Sequence, residues 1–211
     1  MTRIMLVDDH PMMRRGMRQL IEMQDGLEVV AEAASGEESL AMAASHEPDM
    51  ILMDLNMKGM DGIQTIEAMR NSGVAACILM ITVSDNDEDV IAALRAGADG
   101  YLLKDLEPEQ LLNALLQAER GQLLLSPRLT RVLASTLREE KTDRRGLAAE
   151  LTAREQQILA MIAAGSSNKL IARELGITEA TVKVHVKNLL KKLNFHSRVE
   201  AAVWAVSNQI P

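Results

Sequence analysis

Four stretches of apolar sequence end in groups that could do phosphoryl chemistry together. Ile4-Met5-Leu6-Val7 runs into an acidic pair, Asp8-Asp9, and Asp49-Met50-Ile51-Leu52-Met53 runs into Asp54 and a glycine-bearing turn that reaches Gly62. Tyr101-Leu102-Leu103 runs into Lys104, and Thr82 closes a further run from Cys77. Carboxylates gathered in one place suit Mg²⁺, a hard cation that takes oxygen ligands and keeps several waters. Such a cation screens an incoming phosphoryl group and stabilises in-line transfer to a carboxylate. Asp54 is the expected acceptor. Asp9 and Asp54 are the expected direct metal ligands, Asp8 reaches the ion through water, and the carbonyl of Asn56 can add an oxygen. Lys104 would neutralise a phosphate oxygen as a point charge, and Thr82 is placed to hydrogen-bond another.

Singly, each residue has a blander explanation. Asp8-Asp9 could cap a helix or sit in a solvated turn, Asp54 could cap the following helix, Lys104 could be surface, and Thr82 a β-branched strand residue. Their joint occurrence at successive strand ends favours a site, because such ends meet on one edge of a parallel sheet, where α/β proteins place ligands. His10, beside Pro11, is assigned a structural role at the start of the first helix rather than a phosphodonor role. His46 is read as surface.

The elements that would position these groups follow from periodicity. Strands are expected at 3–8, 27–33, 49–53, 77–82 and 99–103, with helices near 11–24, 36–46, 61–72, 85–96 and 108–119. Pro108 suits a first helical turn, where its missing N–H costs little. Strands that read as continuous apolar runs should be covered by helices on both faces. The alternation predicts an α/β doubly wound, five-stranded parallel sheet of flavodoxin-like order over residues 1–121. Residues 122–147 turn polar and mixed in charge, a linker that can hold a short helix near 128–137. From 148 to 211 the pattern is all-α, with helices near 152–163, 167–174, 178–193 and 197–207 and no strand signal.

Composition bounds the function. Apolar residues make up 47% and charged residues 25% of 211, which fits a globular chain. One Phe, one Tyr and one Trp against 14 Met argue against an aromatic-lined pocket for a flat ligand. The lone Cys77 is read as a small buried hydrophobe. No apolar run approaches the roughly 18–20 residues of a membrane span, and Asp8-Asp9 comes too early for a signal peptide, so the expected location is the cytoplasm, with no membrane partner. The net charge of −7 conceals an asymmetry. Residues 1–122 hold 9 Lys and Arg against 22 Asp and Glu, a balance of −13; residues 123–211 hold 14 against 8, a balance of +6. An acidic half joined to a basic half suggests a metal or phosphate module attached to a polyanion binder.

The basic half contains a helix-turn-helix pattern. Thr152 and Glu155 form a capping box, Ser167 starts a second helix that Gly176 closes, and Thr178 caps a third running to Leu193. At 100° per residue, Val182, Val186, Leu189 and Leu193 fall within about 40° of one line, a core stripe. Lys183, Lys187, Lys191, Val184 and Ala180 fall roughly 100–200° away, and no acid lies between Glu179 and Glu200. A lysine stripe alone is usually a solvated face. On the second helix of such a unit it favours entry into the major groove, where lysines reach phosphates or guanine edges and Val184 suits a thymine methyl.

Two resemblances carry the reading further. Asp8-Asp9, Asp54-Leu-Asn-Met with Asp61-Gly62, Thr82 and Gly100-Tyr101-Leu-Leu-Lys104 resemble a bacterial two-component receiver domain. That implies Asp54 as phosphoacceptor, Asp8 and Asp9 as metal-site acids, Thr82 and Lys104 as phosphoryl ligands, and Tyr101 as the aromatic that turns inward with Thr82 on activation. One departure is Lys58, where most receivers carry proline. Leu151-Thr-Ala-Arg-Glu155, Ser167-Asn-Lys-Leu-Ile-Ala172 and Thr181-Val-Lys-Val-His-Val-Lys187 resemble the helix-turn-helix of the LuxR-type NarL/FixJ regulators. That implies base contacts by Lys183, Val184 and Lys187, with Ser167, Asn168, Lys169 and Thr181 holding the DNA backbone. His185 flanks the core stripe and is assigned to packing. Ala201, Ala202, Val203 and Trp204 are candidates for a dimer seam, or core in the case of Trp204. Within that family the combined order is most similar to the nitrate/nitrite regulators, and the signal rests on resemblance alone. The implied partners are a sensor histidine kinase, double-stranded promoter DNA, a second copy of the chain when activated, and RNA polymerase. The chain is therefore expected to be a transcription factor and not an enzyme. A metal-dependent phosphatase would need an acid/base and a substrate cap that the helical appendage does not supply. A constitutive DNA binder would leave the acid-threonine-lysine set without a purpose.

Overall fold

The computed structural model describes residues 1–84, 86–121 and 151–208. Five strands, β1 (Thr2–Val7), β2 (Leu27–Ala33), β3 (Met50–Asp54), β4 (Cys77–Thr82) and β5 (Gly100–Leu103), form one parallel sheet in the order β2-β1-β3-β4-β5. They alternate with α1 (Pro11–Glu22), α2 (Gly36–His46), α3 (Gly62–Ser72), α4 (Asp87–Ala96) and α5 (Pro108–Glu119). The period-two alternation of strand side chains divides the core. Met5, Val7, Ile51, Met53, Ile78 and Met80 pack beneath Ile66, Met69, Val90 and Leu94 of α3 and α4. Ile4, Leu6, Met50, Leu52, Leu79 and Ile81 pack on the other face with Met17, Ile21 and Leu115 of α1 and α5. Each such side chain contributes on the order of 1.5–3 kcal/mol on burial. The doubly wound sheet is the one the sequence predicts, with element ends displaced by one or two residues. Edge strand β2 departs from the continuous apolar pattern: it alternates, with Glu28 exposed and Glu32 taken up by Arg14 and Arg18 of α1.

Strand order reverses between β1 and β3, and this is the point at which a crevice opens beyond the carboxyl ends of the strands. Register then fixes what meets there. Val7 pairs with Met53, Asp54 with Ile81, and Thr82 with Leu103, while the Lys104 N–H donates to the Thr82 carbonyl. The residues just past those pairs are Asp8, Asp54, Thr82 and Lys104. The turn that follows Asp54 folds back tightly: a Cβ on Gly62 would lie 2.2 Å from the Asp54 carbonyl oxygen, so only glycine fits. Asp61 and Gln64 form a capping box that starts α3 immediately afterwards.

The C-terminal part consists, among the described residues, of α6 (Ala153–Ala163), α7 (Asn168–Leu175), α8 (Glu179–Lys192) and α9 (Arg198–Ser207). Thr152 and Glu155 make the expected capping box, Ser167 and Thr178 cap α7 and α8, and Gly176 closes α7 in the left-handed conformation at φ 64°. Ile158, Ile162, Ile171, Val182 and Ala202 form its core. The expected linker at 122–147, with the helix near 128–137, lies outside the described residues. The residues considered for a dimer seam are packed inside the chain in this form, and Trp204 takes the core role that was its alternative. Ala201, Ala202, Val203 and Trp204 are buried, with the Trp204 ring 5.7 Å from that of Phe195, because α9 packs between α6 and α4 of the first domain.

Candidate functional site

Asp8 leaves the end of β1, Asp54 ends β3, and Lys104 follows β5, so three separate strands deliver one cluster. Lys104 Nζ lies 2.8 Å from Asp8 Oδ2 and 3.0 Å from Asp54 Oδ1. Asp8 and Asp54 are almost fully buried, and Asp54 Oδ2 has no hydrogen-bond partner. Burial is the main cause that holds the Asp54 carboxyl above its usual range; the Asp8 charge adds to it, and Lys104 opposes it. Burial disfavours charge on Lys104, yet its bonds to Asp8 and Asp54 outweigh that and hold its ammonium above the ordinary lysine value. A buried acidic centre with one orphaned oxygen is short of positive charge. The donor set therefore fits a divalent cation.

The other expected members lie around this centre. Asp9 is less deeply buried, and its Oδ2 accepts from the Lys58 backbone N–H at 3.4 Å. A proline at 58 could not donate there. Asn56 is exposed, and its N–H donates to Asp54 Oδ1 at 3.4 Å. Thr82 is fully buried at the adjacent strand end, its Oγ1 accepting from Ser84 N–H at 3.1 Å. Tyr101 is buried as well, and its hydroxyl donates to the Ser84 carbonyl at 2.9 Å. His10 takes its expected place at the start of α1, where its carbonyl accepts from the Arg14 N–H. Its side chain makes no cap bond; instead Nδ1 approaches Asp8 Oδ1 at 3.2 Å and Asp9 Oδ1 at 2.8 Å. Sequence reasoning missed this approach, although its adjacency to the acidic pair was the available signal. His46 is part-buried, with Nδ1 3.1 Å from the Met42 carbonyl oxygen. Cys77 is only partly exposed, and burial pushes its thiol up.

On α8 the stripe follows the sequence: Val182, Leu189 and Leu193 are fully buried, Val186 partly, while Val184, Lys187 and Lys191 are exposed. The face is turned toward the first domain. Lys183 Nζ lies 3.9 Å from Asp49 Oδ1, and Lys187 reaches Gly73 so closely that a Cβ there would sit 2.7 Å from its Nζ. Asp49 was missed, because nothing local marks it as facing a distant lysine. Lys169 and Thr181 are exposed. Ser167 is instead buried, its hydroxyl accepting from Leu170 N–H, and Asn168 Oδ1 accepts from Arg198.

An acidic, lysine-bridged centre at the switch point of a parallel sheet, joined to a helix-turn-helix with a cationic face, defines a regulator with a receiver-type module and a DNA-binding module. Comparison with known proteins gives the family. Residues 4–116 match the response regulator receiver domain, and residues 149–205 match the bacterial regulatory proteins of the luxR family. The nitrate/nitrite response regulator protein NarL of Escherichia coli strain K12 is 52% identical over 207 residues, covering 98% of this chain and 96% of that protein. NarP of the same strain, also a nitrate/nitrite response regulator protein, is 49% identical over 200 residues, covering 95% and 92%. A LuxR-family two-component response regulator from Aurantimonas sp. SI85-9A1 shares 39% identity at a TM-score of 0.58, over 62% of this chain and 94% of that one. The chain belongs to the two-component response regulators that carry a receiver and a LuxR-type DNA-binding domain. Its relatives are named as response regulator or transcriptional regulatory proteins. No helix among the described residues is long and apolar enough to cross a membrane.

Proposed function

We propose that this chain is a transcription factor in which phosphorylation of Asp54 by a sensor histidine kinase enables the C-terminal domain to bind promoter DNA as a dimer. The observation that carries the proposal is the Lys104 ammonium seated between Asp8 and Asp54 at the switch point, with one Asp54 oxygen left unpartnered. In this reading Asp8, Asp9, Asp54 and the Asn56 carbonyl hold Mg²⁺, and the ion supplies charge neutralisation for phosphoryl transfer. Lys104 and Thr82 receive phosphate oxygens; the Thr82 hydroxyl can donate its proton to one while still accepting from the Ser84 N–H. Tyr101 and Thr82 form the switch. The modules are 1–121, the linker 122–147, and 148–211.

The acidic receiver facing a basic helix supports a closed form in which Asp49 and the α3 end near Gly73 engage the side chains of Lys183 and Lys187, while Val184 stays exposed. Opening it needs only a few kcal/mol of differential stability. Once freed, Lys183, Val184 and Lys187 read bases, while Lys169, Thr181 and Asn168 hold the phosphate backbone. Ser167 serves there only after local rearrangement. RNA polymerase is a further partner at the promoter. The similarity to two nitrate/nitrite regulators supports a role in nitrate- or nitrite-responsive control. Incubation of full-length protein with a small phosphodonor and Mg²⁺ tests the acceptor. One hydroxylamine-labile phosphoryl group is expected in wild type and none in Asp54→Asn; equal labelling of both would refute it.

A further inference from the structure

The acidic pocket carries a residue that an oxygen-only magnesium site does not need. One ligand atom from each of Asp8, Asp9, His10 and Asp54 lies within 4.8 Å of all the others. His10 Nδ1 is 2.8 Å from Asp9 Oδ1 and 3.2 Å from Asp8 Oδ1. The Asp9 oxygen, despite that proximity, makes no hydrogen bond. Neighbouring donors on an ion with bonds of about 2.0–2.2 Å stand roughly 3 Å apart, and both separations match that spacing. Beside the Lys104 ammonium, the buried Asp54 Oδ2 has no hydrogen-bond partner and is open to a further cation. The imidazole Nδ1 already hydrogen-bonds Asp8 Oδ1, so a metal there would take the place of its proton. The ring makes no cap bond to α1, whose first position is Pro11, and it is 68% exposed.

We propose that His10 Nδ1 is an additional ligand, which lets this pocket bind borderline divalent transition metals such as Co²⁺, Ni²⁺ or Zn²⁺ in a mode that Mg²⁺ does not use. Imidazole suits those ions, whereas Mg²⁺ takes oxygen ligands. This rests on the reading of Asp8, Asp9 and Asp54 as a cation site. Occupancy by such an ion would place a nitrogen-anchored competitor at the phosphoacceptor, so the receiver would respond to transition-metal load as well as to its kinase.

The test is calorimetric titration of untagged full-length protein with Co²⁺ and, separately, with Mg²⁺, together with the visible absorption of bound Co²⁺. His10→Ala, Asp9→Asn and Asp54→Asn are compared with wild type. Loss of a metal's supporting partner weakens affinity by about 10–100-fold, so His10→Ala is expected to weaken Co²⁺ by at least about tenfold and alter its spectrum. Mg²⁺ affinity should change by less than about twofold, since it uses oxygen ligands. Unchanged Co²⁺ affinity and spectrum would overturn the proposal, and so would equal losses for both metals. If neither Asp9→Asn nor Asp54→Asn weakens Mg²⁺, the acidic site itself fails and the His10 proposal falls with it.

Discussion

Replacing Lys104 by methionine removes the only cation that touches both buried acids among the described contacts, while keeping a long, unbranched side chain. At 2.8 and 3.0 Å the two pairs are each worth about 6 kcal/mol of gross attraction at an effective dielectric near 20. Most of that is offset by the desolvation of Lys104, whose side chain is 10% exposed. Removing one partner of a buried pair costs about 3–5 kcal/mol. Burial already disfavours charge on the Asp54 carboxyl, so the lower end, about 3 kcal/mol, is expected. Mg²⁺ should restore much of this, because a ligand at 100 times its Kd stabilises by about 2.7 kcal/mol, and the variant offers it less competing charge. Urea unfolding of full-length protein, followed by far-UV ellipticity in chelator and in Mg²⁺, reads both effects. Identical receiver midpoints in chelator, or equal stabilisation of both proteins by Mg²⁺, would refute the placement of Lys104 as the neutralising group.

Four further outcomes follow from the same geometry. Gly62→Ala forces a Cβ to 2.2 Å from one backbone oxygen and 2.9 Å from the Leu55 Cα, and should cost about 1–3 kcal/mol or more. Gly16→Ala, with nothing within 4 Å and inside α1, should stabilise by about 0.5–1 kcal/mol; thermal melts compare the two. Asp54→Asn should stabilise the receiver above the raised Asp54 pKa, and the gain should vanish as pH falls below the unfolded carboxylate value. The sign follows because a carboxyl raised on folding makes wild type lose stability as pH rises from the unfolded to the folded pKa; a pH-independent difference between the melts would contradict it. Lys187→Ala should weaken DNA binding and lower its salt slope by about one unit, and an unaltered slope removes Lys187 from the interface.

The sheet and its active edge were legible because β1, β3 and β4 are buried on both faces, and each ends abruptly in a charged or hydroxyl group. Edge strand β2 was less regular because its exposed positions are free to pair with α1. The recognition helix could be phased because its buried and cationic positions lie on opposite sides. Three things were not local enough to read. The approach of His10 to the acids depends on the rotamer of an exposed ring. Asp49 meets Lys183 only after two domains pack. The alanine-rich face of α9 is equally suited to a seam or an interior, and here α6 and α4 cover it.

The central claim is that the state of Asp54 governs access to the DNA-reading face of α8. Titration of full-length protein with promoter DNA, with and without beryllofluoride and Mg²⁺, tests it most directly when run beside Asp54→Asn and the 148–211 fragment. Tight binding by the fragment and by activated wild type, with weak binding by unactivated wild type and by Asp54→Asn, is the expected result. Equal binding by wild type in both states would contradict it.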